Sequence, residues 1–237
     1  MSDDAVFQGY RASRLRLSEL ARSFDATQAA TPVAACPGWT VKDTLAHLAG
    51  LAADVVGGNV PDGVPTDEFT AREVAERADR TVPEVLGEWD RVGPEFESLL
   101  QALGADAPRN AAVDVWSHEC DIRSALGISI PADGGPAARL LDGMVRRGIG
   151  RSWGTEGHPP ALRIVTDTDG WVAGEGDPAG MLRTTLFDLS RTMLGRRSPA
   201  QMAGMDWDGA DPQPWIAALP VFGPNEGGVI DSAVEPS

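Results

Sequence analysis

The chain is short of cysteine, of basic residues and of long apolar runs, and each shortage excludes something. Its 237 residues contain two cysteines, Cys36 and Cys120, too few for a disulfide framework and without a C-x-x-C zinc or redox motif. The N-terminal Met-Ser-Asp-Asp has neither a basic n-region nor an apolar h-region, so no secretory signal is expected and the thiols read as reduced ones in a cytoplasmic protein. Lysine and arginine number 20 against 35 acidic residues, a net charge of -15, which repels phosphate backbones and anionic membranes. Nucleic acid and membrane are therefore not expected as partners. Stretches such as Leu45–Val56 and Ala111–Trp116 are interrupted by Gly, Asp or His well short of the ~18 apolar residues of a membrane span.

What is present is an ordinary globular composition, 42% hydrophobic, long enough for one large domain or two small ones. Apolar residues at helical spacing predict helices over Val6–Phe24, Val41–Val56, Thr70–Ala78, Glu84–Leu103 and Asn110–Leu126, the third of them short. Thr40 with Asp43 resembles a capping box before the second, and Gly127 stands where a left-handed cap would end the last. Four long helices joined by loops describe a mainly α fold with an N-terminal four-helix bundle over residues 1–130. A change of composition after Gly127 marks a small α+β domain over residues 136–222. It is expected to contain a helix Pro136–Trp153, a β-like run Ala161–Val165 turning at Asp169-Gly170 into Trp171–Ala173, and a helix opening at Asp177-Pro178 and ending at Leu194. The acidic Pro224–Ser237 segment reads as a mobile tail.

Chemistry concentrates in Asp114-Val-Trp-Ser-His118-Glu-Cys-Asp121. Spacings of four and three put Asp114, His118 and Asp121 on one helical face. His47 stands at the edge of the apolar stripe Val41, Leu45, Leu48, Ala52 and Val55. If the second and fourth long helices are neighbours, His47, Asp114 and His118 converge as two imidazoles and a carboxylate with a fourth position open, the pattern of catalytic zinc. Nickel, iron or manganese would accept the same donors. The alternative is an Asp114–His118 ion pair on a helix surface, unrelated to His47. Asp121 is either an outer partner orienting a ligating imidazole or an exposed helix acid. Arg196, beside Arg197, either receives a substrate carboxylate or caps a helix. Cys120, Trp39, Trp89 and Trp116 read as packing or pocket wall, and His158 as a loop residue.

The run from Cys36 through Pro-Gly-Trp-Thr-Val-Lys-Asp-Thr-Leu-Ala-His47-Leu-Ala-Gly50 resembles the signature of the mycothiol-dependent maleylpyruvate isomerase family, within the DinB-like group of metal-binding four-helix bundles. So do the segment from Thr70 to Arg80, the run Val85-Leu-Gly-Glu-Trp89, and Asp114-x-x-x-His118-x-x-Asp121 with its following Ala125-Leu-Gly127. Phe187–Arg197 looks more loosely like the family's smaller C-terminal domain. The resemblance implies Zn2+ or another divalent transition metal held by His47, Asp114 and His118, and mycothiol or another low-molecular-weight thiol as cosubstrate. Asp114 departs from the family's usual glutamate. One methylene shorter, it requires either closer helices or a bridging water.

The function so implied is a metal-dependent thiol enzyme, a mycothiol-dependent isomerase or S-transferase in which a metal-bound thiolate attacks a small electrophile. Hydrolysis by a metal-activated water, and a non-catalytic ligand-binding or interaction bundle, are the alternatives. The expected assembly is a monomer or small homo-oligomer.

Overall fold

The computed structural model describes residues 4–60, 65–131, 152–221 and 223–235. The chain forms two compact units, Met1–Ala137 with Asp231–Ser237, and Ala138–Ile230. Among the described residues no helix is long and apolar enough to cross a membrane.

The first unit is helical. Its elements are α1 (Ala5–Ala21), α2 (Ala26–Ala29), α3 (Val41–Val56), α4 (Asp67–Ala75), α5 (Val82–Leu103) and α6 (Arg109–Ala125). The long helices α1, α3, α5 and α6 form the bundle, with α1 against α5 and α6, and α3 against α5, α6 and the short α4. The chain enters α3 through a turn in which Trp39 donates its N–H to the Cys36 carbonyl at 2.9 Å. Pro37 presets the first central φ and Gly38, at φ +89°, supplies the left-handed one. The capping box at the start of α3 is formed: the Asp43 carboxylate accepts the Thr40 N–H at 2.9 Å, and the Thr40 hydroxyl accepts the Asp43 N–H at 3.2 Å. Gly127 takes φ +65° after α6, completing the expected stop.

Leu17, Leu45, Val85, Trp89 and Val115 are fully buried, and the Trp89 indole donates to the Tyr10 hydroxyl at 2.9 Å. Burial raises the pKa of that phenol, a shift only partly offset by the Trp89 hydrogen bond. The interior also carries charge in pairs. Arg14 meets Glu97 at 2.6 Å, and Arg77 grips Glu88 through two bonds of 2.7 and 3.0 Å. Arg16 grips Glu119 through bonds of 2.9 and 2.8 Å. Such pairs are costly to break singly, because removing one partner strands a buried charge.

The second unit holds a four-stranded sheet in the order β2-β1-β3-β4, from β1 (Leu162–Val165), β2 (Gly170–Ala173), β3 (Gly180–Arg183) and β4 (Asp206–Gly209). β1 pairs antiparallel with β2 and parallel with β3, and β3 pairs antiparallel with β4. Among the described residues it also carries helices α7 (Leu186–Met193), α8 (Pro199–Ala203) and α9 (Gln213–Ala218). Leu162, Ile164, Leu182, Leu189, Met193 and Trp215 meet in its core. The β1–β2 hairpin is the one expected at Asp169-Gly170.

Two expectations are corrected. The helix predicted from Asp177-Pro178 begins only at Leu186, after Thr185, whose hydroxyl accepts the Asp188 N–H at 3.0 Å. The preceding residues form β3 instead, because Leu182 is buried beside β1 and Gly180 lies so close to Trp215 that a Cβ would stand 2.7 Å from the ring. The terminal segment is not a free tail. Val229 is buried, Ile130 and Val234 form a parallel bridge, and Ser124 and Ser129 donate to Asp231 and Glu235 at 3.2 and 2.7 Å. The expected Pro136–Trp153 helix lies almost wholly outside the described residues.

Candidate metal centre

His47 projects from the middle of α3, and Asp114 and His118 project from successive turns of α6. Because these helices are neighbours, the two imidazoles face each other, with ring centroids 5.3 Å apart and planes at 80°. His47 Nε2 lies 3.4 Å from Asp114 Oδ2, and His118 Nε2 lies 3.5 Å from Asp114 Oδ1. One donor atom from each of the three residues falls within 4.8 Å of the other two. The shorter aspartate still places one oxygen within 3.5 Å of each ring. Both imidazoles are buried, while the Asp114 side chain is 32% exposed, so the cluster opens on the carboxylate's side.

The opposite nitrogens are also engaged. His47 Nδ1 stands 2.6 Å from Oε2 of Glu73 on α4, and His118 Nδ1 stands 3.1 Å from Asp121 Oδ2, with Cys36 Sγ at 3.8 Å. Asp121 is buried, which removes the exposed-acid alternative. Trp39 lies against both rings, at centroid distances of 5.3 Å to His47 and 6.3 Å to His118.

Burial disfavours a charged imidazole here, but the surrounding anions outweigh it. The His47 pKa is raised by hydrogen bonds to Asp114 and Glu73 despite desolvation. His118 is pushed up to about 10, against desolvation, by charge interactions with Cys36 and Asp114 and the Asp121 hydrogen bond. Burial likewise pushes the Glu73 carboxyl upward, opposed by its bond to His47. In the metal-free fold both shifts favour the protonated imidazoles.

Two nitrogen donors and a carboxylate, each ring engaged at its far nitrogen, fit a divalent transition metal. Glu73 is the residue sequence reasoning missed. It lies within the family-like segment 70–80, but nothing in the spacing of that polar helix distinguishes it from Glu68 or Glu76. Glu119 is structural, clasped by Arg16 and, at 3.1 Å, by Arg123. Arg196 belongs to the second unit, where its guanidinium donates to the Leu194 carbonyl at 2.6 Å at the end of α7, the capping alternative. His158 is exposed and sits 3.2 Å from Ser152.

The fold is a four-helix bundle followed in the chain by a small α+β unit. Residues 10–123 match the family described as the mycothiol maleylpyruvate isomerase N-terminal domain. The fold is similar to that of the crystal structure of the mycothiol-dependent maleylpyruvate isomerase, at TM-score 0.63 and 16% identity, over 90% of this chain and 96% of that one. It is similar also to that of a histidine-to-alanine variant of that enzyme, at TM-score 0.59 and 15% identity over the same fractions. No curated protein matches the chain in sequence.

Proposed function

We propose that the protein is a metal-dependent thiol enzyme, an isomerase or S-transferase using mycothiol or another low-molecular-weight thiol. The observation that carries this reading is the convergence of His47 Nε2, His118 Nε2 and both Asp114 oxygens on one small volume that is open on one side. His47, Asp114 and His118 would hold the metal, zinc being the leading choice for this donor set. A divalent cation so placed supplies a Lewis acid that keeps a bound thiol ionised at neutral pH.

The protein's own groups do the rest. The buried imidazoles and the half-buried Trp39 ring line one side of the centre. The exposed side of Asp114 is the route by which thiol and electrophile arrive. Asp121 accepts the Nδ1 proton of His118 and keeps that ring's other nitrogen turned toward Asp114. Addition of the thiolate to an activated double bond, followed by its elimination after rotation, gives isomerisation. If the carbon–sulfur bond is kept, the product is a thioether. The matching family's description, which names mycothiol and maleylpyruvate, supports the thiol and an unsaturated dicarboxylate-type electrophile as first trials.

The test is metal analysis of protein purified without a metal-affinity tag, followed by turnover of a model electrophile with and without thiol. About one zinc per chain and thiol-dependent turnover are expected. A protein that binds no metal after incubation with Zn2+ overturns the metal reading, and a metal-bound protein indifferent to thiol overturns the thiol reading.

A further inference from the structure

The residue on the far side of His47 carries an inference of its own. We infer that Glu73 is a positioning residue: it engages Nδ1 of His47 and thereby keeps the ring turned so that Nε2 faces Asp114. The inference concerns the cation site proposed above, and its first readout needs no cation.

A neutral imidazole carries its proton on either nitrogen, and only the Nδ1–H form presents a lone pair from Nε2. Glu73 Oε2 lies 2.6 Å from His47 Nδ1, short enough for a charge-assisted bond. Its placement is set by three helices. Gly50, one turn after His47 on α3, lets α4 approach so closely that a Cβ there would stand 2.8 Å from Glu73 Cβ and 2.9 Å from Arg77 Nη1. Arg77 Nη1 donates to the Glu73 carbonyl at 2.9 Å, and Arg77 is itself clamped by Glu88 of α5.

A packing role does not explain the carboxylate. Glu73 is fully buried, and its second oxygen, Oε1, has no hydrogen-bond partner among the described residues. Desolvating that oxygen costs free energy that an apolar side chain would avoid. What a carboxylate alone offers here is a strong anionic acceptor, aimed at one nitrogen of one histidine.

The experiment compares wild type with Glu73→Gln and Glu73→Leu. Ring 1H–15N correlations on metal-free protein are followed by titration with Co2+, read by its visible absorption. Wild type should show a far-downfield proton on His47 Nδ1 that persists at alkaline pH. Glu73→Gln should fold with an undiminished melting temperature and keep the proton on Nδ1, but bind Co2+ more weakly. Glu73→Leu should lose the Nδ1 signal and bind Co2+ about 10–100-fold more weakly, as outer partners of metal-ligating histidines do. A wild-type ring protonated only on Nε2 at alkaline pH overturns the inference. So does wild-type Co2+ affinity in both variants. If wild type keeps the Nδ1 proton but takes up no Co2+, the positioning role stands and the metal reading falls.

Discussion

His47 and His118 present the same nitrogen to the same carboxylate but are braced in different ways. His118 is held by Asp121, one turn further along its own helix, so its brace exists once α6 has formed. His47 is held by Glu73 from another helix, 26 residues away in the chain, so its brace exists only when α4 is docked on α3. One arm of the centre depends on local structure and the other on tertiary packing. Disturbing α4 should therefore reach His47 and leave His118 in place.

Removing either ring tests whether they act as one centre. His47→Ala and His118→Ala should each reduce Zn2+ affinity by more than the ~10–100-fold typical of an outer partner, measured by competition with a chromophoric chelator. Loss from only one of the two would show that they do not share an ion. Asp121→Asn, which removes the charge but not the shape of the local brace, should weaken binding by about tenfold, at the low end of that range.

Gly50→Ala should strike the tertiary arm alone. Its Cβ has no room between Glu73 and Arg77, so stability should fall by about 1–3 kcal/mol, the usual cost of overpacking. The His47 ring signals should shift while those of His118 do not. Equal shifts in both would break the distinction drawn between the arms.

Acidity gives a further measure. The pKa of His118 in the metal-free fold is raised to about 10 from an ordinary value near ~6.5. Its contribution to stability is therefore full below the unfolded value and lost as pH rises through the folded one. Metal-free protein should lose melting temperature between about pH 7 and 10, while stabilisation by added Zn2+ grows over that range as protons cease to compete. A metal-free melting temperature that rises there would contradict the protonated state assigned to His118. Cys36→Ser should start that alkaline loss at a lower pH, because Cys36 is the largest of the influences that raise His118. An unchanged pH profile in this variant would show that the 3.8 Å contact does not govern His118.

The same division explains what could be read from the sequence. Asp114, His118 and Asp121 share a helical face by spacing alone, and the Thr40–Asp43 box and Gly127 mark helix ends through chemistry within four residues. His47 was found through the Pro-Gly-Trp-Thr run around it, which is also local. Glu73 escaped because its meaning lies in a contact across two helices, on an element whose neighbours Arg72, Glu76 and Arg77 are polar. β3 was missed for a similar reason. Met181-Leu182-Arg183 suits helix or strand, and its parallel partner β1 lies 18 residues earlier in register.

The pairing of Ile130 with Val234 has a consequence for how the chain can be cut. The second unit is an insertion whose two ends both return to the first, so no single break in the backbone divides the protein into its parts. Deleting the last few residues would leave α6 without the strap that Ser124, Ser129 and Ile130 bind. A minimal helical unit would have to splice residue 131 to residue 231 through a short linker. During synthesis, likewise, Val234 cannot reach Ile130 until the whole inserted unit has left the ribosome.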